Sequence, residues 1–462
     1  MILYPPQLFG IQPSLLDRTG RFILNWEMGC GKSVGVCEII KQRRYKRVLV
    51  VCPSIVKHTW GKAFDRFLEN KPDVGMHLFG KERGGLSKKQ QEHLEHALYA
   101  QFQIVSPDLI SNISIRDWDL IVLDELHLYK NEKTVRAREA RHLLELCADS
   151  YALGLTGTLA PNDLGDIWSP IDLLWPGRFG KKYAFQHRYQ NKLLKVINDQ
   201  SGETRTQFVG LREEHAAELA YRLSKLSTRV TREDLKEYLP AFDIMLLPLA
   251  VGFDWSRAGT TKEDIEAALA KAAAAKVAGV VDWVENAAET TTHICVLAHH
   301  HEVADLYAAA LKKRMPLVPV IQADGRIPAD KRMQVIEATK ELPECILVCT
   351  IQSVDLGISL TKFTQAVCVE YHWSPGVMEQ VLLRFSRLDS MLPSAVWFAY
   401  VAGTIDEVIA TRLEEKLRSI NPITKAGVVG SKLEGLLQVS DEEFLKDITK
   451  AAEQLETGGG YL

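Results

Sequence analysis

The sequence predicts an α/β protein in two halves, each a parallel sheet flanked by helices, with a helical insertion between them. Three observations carry this. Short apolar runs alternate with helical patterns from about residue 20 to 160, and the same alternation resumes from about residue 241. The stretch between, 179–240, is polar with helical spacing. The chain has 462 residues, 46% hydrophobic and 25% charged, enough for two or three soluble globular domains with buried cores.

In the first half the strand candidates are RFILNW (21–26), RVLVVC (47–52), FQIVS (102–106), DLIVLDE (119–125) and SYALGLTGT (150–158). Near-continuous apolar character, rather than alternation, suits strands covered by helices on both faces. REEHAAELAYRLSKLSTRVTREDLKEYLP (212–240) reads as the helical insertion, ending at Pro240. The second half offers FDIMLLPLA (242–250), HICVLAHH (293–300), PLVPVIQADG (316–325), CILVCTI (345–351), AVCVEY (366–371) and AVWFAYV (395–401). Its alanine-rich stretch 262–289 has the composition of one long helix. The expected boundaries are 1–178 for the first lobe, 179–240 for insertion and linker, 241–440 for the second lobe and 441–462 for an acidic helical tail.

Composition narrows the function classes. The net charge of −3 argues against a chain that is basic all over, so nucleic-acid contact requires a local groove. KQRRYKR (41–47), GKKY (180–183) and KKR (312–314) are candidates for such contact, or plain solvated faces. The opening MILYPPQLFGIQPSLLDR lacks the basic-then-apolar order of a signal peptide, and no apolar run approaches a membrane span of roughly 18 residues. A soluble, cytoplasmic protein with no membrane partner is expected. The eight cysteines show no CxxC pair, and Cys345 and Cys349 fall in an apolar run, which suits small reduced core residues.

NWEMGCGKS (25–33) ends as a phosphate-binding loop ends, although Trp26 stands where the general P-loop pattern has glycine. Gly29, Gly31, Lys32 and Ser33 follow a strand and open a helix, the context such a loop needs. Met28, Gly29, Cys30 and Gly31 would present backbone N–H groups to phosphates. Lys32 would reach the β and γ oxygens of ATP, and the Ser33 hydroxyl would bind Mg²⁺. The alternative is a chance glycine-rich turn. WDLIVLDELHLYKN delivers Asp124 and Glu125 to a strand's carboxyl end, where one carboxylate can hold Mg²⁺ and the other polarise water. An acidic turn after a strand would look the same in isolation. LTGTLAPN (155–162) places Thr156, Gly157 and Thr158 at a third strand end, suited to sensing the γ-phosphate. Gln380, Arg384 and Arg387 stand at i, i+4 and i+7, one helix face, from which two guanidiniums could serve as arginine fingers or form an ordinary basic face. His299, His300 and His301 read as a strand end or helix cap, or less simply as metal ligands.

These residues resemble the superfamily-two helicases, specifically the Swi/Snf-type DNA translocases, in which the loop reads E-M-G-x-G-K, so that Glu27 and Met28 fit and glycine at Trp26 is not required. The resemblance runs to about residue 420 through some eight motifs in order. LYPPQLFG looks like the Q motif and implies Gln7 on the adenine. VLVVCPSIVKHTW resembles a first DNA-contacting motif and implies Pro53 and Lys57 on DNA. RVTREDLKEYLP resembles the basic segment that closes the insertion. ADGRIPADKRMQVIEA implies a DNA-side or coupling role for Asp324 and Gly325. TIQSVDLGISL implies coupling roles for Asp355 and Gly357, and His127 is retained after the acidic pair. LAHHH, TIQSVDLGISL and the E-x-x-W-x-P run at Glu370–Pro375 look most like the annealing-helicase (HARP-type) branch. There Trp373 lines a DNA path or packs in the core. Where the family usually has His-Arg-Ile-Gly-Gln, this chain has Ser386-Arg387-Leu388-Asp389-Ser390, and Leu126 replaces a smaller residue.

The resemblance implies two RecA-like lobes that use ATP and Mg²⁺ on duplex, forked or branched DNA, gripping its phosphate backbone as a monomeric motor core with few accessories. Gln380 and the two arginines complete the nucleotide site in that family. A strand-separating helicase, and an ATP-dependent remodeller of proteins that touches no DNA, stand as alternatives.

Overall fold

The computed structural model describes residues 3–78, 87–113, 117–157, 159, 163–198, 203–251, 262–354, 358–372, 374–388 and 390–420. The chain divides into two compact units between Leu235 and Lys236.

The first unit is built on strands β1 (Arg21–Trp26), β2 (Val48–Val51), β3 (Val74–Met76), β4 (Phe102–Val105), β5 (Leu120–Leu123) and β6 (Tyr151–Thr156). A hairpin follows, β7 (Asn191–Asn198) with β8 (Glu203–Val209), and then β9 (Ser227–Val230). The sheet order is β3-β4-β2-β5-β6-β1-β9, with every pairing parallel. Strands β2, β5 and β6 are buried at every position, which is why they read as unbroken apolar runs. One face packs Ile23, Leu49, Ile121 and Leu123 against helix and loop residues such as Leu143, Ile171, Leu174 and Tyr189. Because all seven strands run the same way, residues leaving their carboxyl ends emerge along one edge, where open parallel sheets bind ligands.

The second unit has strands β10 (Phe242–Leu249), β11 (His293–Ala298), β12 (Val320–Ala323), β13 (Cys345–Thr350), β14 (Gln365–Cys368) and β15 (Ser394–Val401). Its order is β10-β15-β14-β11-β13-β12, again parallel throughout. Ile294, Val296, Ile346, Val348 and Val367 face Val280, Val284, Tyr307 and Leu311 of the covering helices. The two α/β units with parallel sheets are the architecture the alternating pattern called for.

Two expectations are corrected. The stretch 179–240 is not simply helical. Helices Lys182–Tyr189 and Glu213–Ser224 flank the β7–β8 hairpin, and β9 joins the first sheet beside β1. The apolar residues of β7, Leu193–Leu194 and Val196–Ile197, are broken by Lys195 and β8 is largely polar, so neither strand carries a run long enough for periodicity alone to mark it. The alanine-rich helix divides at Lys276 into Lys262–Ala275 and Val277–Ala288. Backbone bonds from Lys276 N–H to Ala272 and from Val280 N–H to Lys276 bridge the break. There the Lys276 side chain turns inward, fully buried, and donates to the Ala399 carbonyl at 2.6 Å and to Asp406 at 2.7 Å.

All eight cysteines are free and buried. Among the described residues, no helix is long and apolar enough to cross a membrane, and no cluster of His, Cys, Asp and Glu is arranged to hold a metal ion by itself.

Candidate active site

Strand β1 ends at Trp26, and the loop 27–31 leads into the helix Lys32–Arg43. Gly29 and Gly31 take φ of +79° and +78°, left-handed values that a side chain would strain. Trp26 occupies the position where the general pattern has glycine because other glycines make room for it. A Cβ on Gly10 would fall 2.6 Å from the Trp26 indole, and one on Gly35 would fall 2.9 Å from it. The indole is fully buried, and its Nε1 donates to the Thr228 hydroxyl at 3.3 Å. Lys32 at the helix start donates to the Trp26 carbonyl at 2.9 Å and to that of Glu27 at 3.4 Å. Ser33 follows it, half-buried. Gln7, buried in the helix Pro5–Leu16, donates from Nε2 to the Cys30 carbonyl at 2.9 Å, so it is tied directly to this loop.

Asp124 and Glu125 leave β5, separated from β1 only by β6. The Asp124 carboxylate accepts from the Trp60 indole at 2.8 Å and from the Glu125 N–H at 3.0 Å. Burial, and next the Glu125 charge, push Asp124 up to about 6. Glu125 holds φ +52°, rare for a residue with a side chain, and such strain costs about 1–3 kcal/mol where the surroundings impose it. Its carboxylate lies 3.3 Å from His127 Nδ1, and the Thr156 hydroxyl at the end of β6 lies 3.5 Å from the same nitrogen. Burial lowers the His127 pKa, with Glu125 opposing, which favours the neutral imidazole. Gly157 packs on the loop: a Cβ there would lie 3.3 Å from Met28 and 3.8 Å from the Lys32 ammonium. Thus Lys32, Asp124, Glu125, His127, Thr156 and Gly157 gather at one edge of one sheet. This combination can hold a polyphosphate, a divalent cation and a polarised water. Thr158 lies outside the described residues.

The residues fit Mg²⁺ and ATP. A lysine ammonium resting on neutral carbonyls can exchange them for phosphate oxygens. The left-handed glycines keep the cradle clear of Cβ atoms, and the Asp124 carboxylate lies within electrostatic reach of Lys32, the residue before Ser33.

In the second unit the helix Pro375–Leu382 carries Gln380 but stops before the arginines, which corrects the single-face expectation. The Arg384 carbonyl accepts from Leu360 N–H instead of from a following helical turn, and Ser394 takes the Phe385 carbonyl. Arg384 is buried, and Arg387 donates to the Ile358 carbonyl at 3.3 Å. Asp355, Gly357 and Trp373 lie outside the described residues.

Four residues read as DNA contacts are placed as follows. Pro53 is half-buried after β2. Lys57 is corrected: it is buried, with its ammonium on the His77 carbonyl, because the helix it opens turns that side chain into the core. Asp324 is corrected as well. It is buried, and its carboxylate is engaged by Arg326, which Asp305 clamps from the other side. A committed carboxylate offers nothing to a polyanion. Gly325 sits beside His301 in the same turn. His300 caps the helix His301–Arg314, and buried Glu370 accepts from the His299 and His300 N–H groups at 2.8 and 2.9 Å, an anion at a helix amino end.

Sequence reading missed Trp60, Glu27, Arg229 and Glu370 as positioning groups. A buried indole requires an acceptor, so Trp60 in SIVKHTW was the one with a findable signal. Arg229 donates to Glu27 at 2.9 Å across 202 residues of chain, a pairing no local pattern encodes.

A model of the SNF2-related domain matches residues 17–250. The chain is 25% identical over 434 residues to the SWI/SNF-related matrix-associated actin-dependent regulator of chromatin subfamily A-like protein 1 of Xenopus tropicalis, covering 90% of this chain and 44% of that protein. It is 24% identical over 468 residues to the DNA annealing helicase and endonuclease ZRANB3 of Bos taurus, covering 94% of this chain and 41% of that protein. The chain therefore spans less than half the length of these curated relatives. The solved Sulfolobus solfataricus SWI2/SNF2 ATPase core in complex with dsDNA aligns with 96% of this chain and 97% of its own, at 17% identity and a TM-score of 0.41. With a matching domain model over half of its length and the phosphate loop and acidic pair side by side within it, the chain belongs to the SNF2-related domain family.

Proposed function

We propose that this protein is an ATP-dependent DNA translocase or helicase that remodels duplex or branched DNA, as in fork and junction remodelling, annealing or branch migration. The observation that carries the reading is the convergence of Lys32, Asp124, Glu125 and Thr156 at the edge of one parallel sheet in an SNF2-related domain. The similarity to a DNA annealing helicase supports the nucleic-acid class.

Lys32 leaves the Trp26 and Glu27 carbonyls for phosphate oxygens, and the Gly29 and Gly31 turns aim backbone N–H groups at the same phosphates. Gln7 links the loop to the adenine side, with Gln380 assigned to the nucleotide as well. Ser33 and Asp124 would hold Mg²⁺, which would supply neutralisation of the charge developing on the phosphates. Glu125 takes the proton of the attacking water, with neutral His127 and Thr156 orienting it. Arg384 and Arg387 are assigned to the transition-state charge, and Thr158, Asp355 and Gly357 to coupling. On DNA, Pro53, Gly325 and Trp373 remain assigned. Contacts mainly to phosphates make binding tolerant of sequence.

The test is the steady-state ATPase rate with single-stranded, duplex and forked DNA. Stimulation by duplex or forked DNA is expected. Stimulation by single strands alone, with unwinding of a forked duplex under trapped reannealing, makes it a strand-separating helicase. Hydrolysis indifferent to every nucleic acid makes it a remodeller of a protein partner.

A further inference from the structure

Glu27 opens the phosphate loop, and it is a carboxylate at a site meant for a polyanion. Uncompensated, it would repel phosphates or compete with them for Lys32. Both of its oxygens are taken by one short segment, the end of β9 and the turn that follows it. Oε1 accepts from Arg229 Nη2 at 2.9 Å, and Oε2 accepts from the Arg232 N–H at 2.8 Å. The other Arg229 amino group reaches the Asn25 amide oxygen at 3.3 Å and the Gly157 carbonyl at 3.4 Å. One guanidinium thus spans the end of β1, the first loop residue and the end of β6. The register that puts it there is backbone-determined, with Asn25 opposite Arg229 and the Glu27 N–H donating to the Val230 carbonyl at 2.9 Å. The side chains of Arg229 and Glu27 are 20% and 26% exposed, shielded enough for the pair to resist screening. Arg229 lies on β9, the last strand of the first unit before the chain crosses into the second at Lys236.

We propose that Arg229 is a positioning residue for the phosphate loop: it neutralises Glu27 and locks the loop to β6 and to the strand from which the chain leaves the unit. This rests on the ATP-binding reading above. The guanidinium reaches Glu27 from one nitrogen and Asn25 and Gly157 from another, whereas a lysine has its three donors on a single nitrogen, so lysine at this position keeps the charge but loses the span. Nucleotide affinity then depends on β9 staying in register.

The test uses the full chain and two readouts, equilibrium binding of the fluorescent analogue mant-ATP with Mg²⁺, and KM and kcat for ATP. Arg229→Gln should raise both Kd and KM by about tenfold, the result of leaving one charge of a shielded pair uncompensated, while kcat falls by less than about threefold. Glu27→Gln in the same chain should bring Kd back to within about threefold of the original, because the repelling charge is gone. A purely structural arginine predicts the opposite, a double variant as weak as Arg229→Gln or weaker. Unchanged Kd in Arg229→Gln, or no recovery in the double variant, overturns the proposal. If Arg229→Gln fails to fold, Arg229→Lys replaces it, with a smaller rise in Kd that Glu27→Gln again relieves; no relief overturns the proposal. Should the unmodified chain bind mant-ATP without DNA stimulation, the motor reading fails while the Kd pattern still decides the role of Arg229. If it binds no mant-ATP, both fall.

Discussion

Asp124 and Glu125 are adjacent carboxylates with different partners, Asp124 on the Trp60 indole and Glu125 beside His127. Asp124 is pushed up to about 6, first by burial and then by the neighbouring charge, so its neutral form is favoured in the folded protein. That preference stabilises the nucleotide-free fold fully at low pH and is lost as pH rises through about 6. Thermal unfolding without nucleotide, followed from pH 5 to 7, should therefore show a fall in stability in this window that Asp124→Asn lacks. The same proton competes with Mg²⁺, so Mg²⁺–ATP affinity should weaken as pH falls below about 6. A pH-independent difference between the two proteins would show that Asp124 does not titrate there. Glu125 has the water-directed role. Glu125→Gln should keep nucleotide binding while hydrolysis falls by about 10²–10⁴-fold, as removal of a general base does. Single-turnover hydrolysis set beside mant-ATP binding checks it, and unchanged turnover removes Glu125 as the base.

Between elements, the buried Lys276–Asp406 pair joins the divided alanine-rich helix to the helix Ile405–Ile420, and Lys276 reaches β15 through the Ala399 carbonyl. Burial lowers the Lys276 pKa and raises that of Asp406, each opposed by its partner. Tyr371 stands beside them, with the ammonium 5.4 Å from its ring centre. Removing one partner leaves an uncompensated buried charge. Lys276→Met should cost about 3–5 kcal/mol in urea unfolding of the second unit, and Lys276→Met with Asp406→Leu should recover much of it. If the double variant is as unstable as the single, the pair supplies more than charge compensation. The first unit has an apolar counterpart, where Gly10 and Gly35 from two helices close on the Trp26 indole and set how closely those helices approach β1.

For the whole molecule, the expected motor works through phosphate contacts in a chain of net charge −3, so its attraction to DNA must be local and sensitive to salt. Raising salt from about 50 to about 200 mM should reduce the apparent affinity for stimulating duplex about tenfold or more, while KM for ATP measured without DNA changes little. A salt-independent DNA affinity would argue against backbone recognition.

Much of this was legible in the primary structure. The order of apolar runs determined two α/β units, because strands buried on both faces must be apolar throughout and parallel strands must be spaced by helices. The phosphate loop, Asp124–Glu125 and Thr156–Gly157 were legible because each is a local run at a strand end. Other features depend on partners far apart in sequence. Strand β9 pairs with β1, and the β7–β8 hairpin offers only a short apolar stretch broken by Lys195. The helix bearing Gln380 ends early because Leu360 takes the Arg384 carbonyl. Lys57 and Asp324, polar residues in motif-like settings, turn inward to His77 and Arg326. The sequence by itself determined the kind of sheet and the chemistry at its edge, since those follow from local pattern. Only the tertiary structure decided which charges neutralise one another, because a buried carboxylate or ammonium is satisfied by whatever the fold brings within about 3 Å of it.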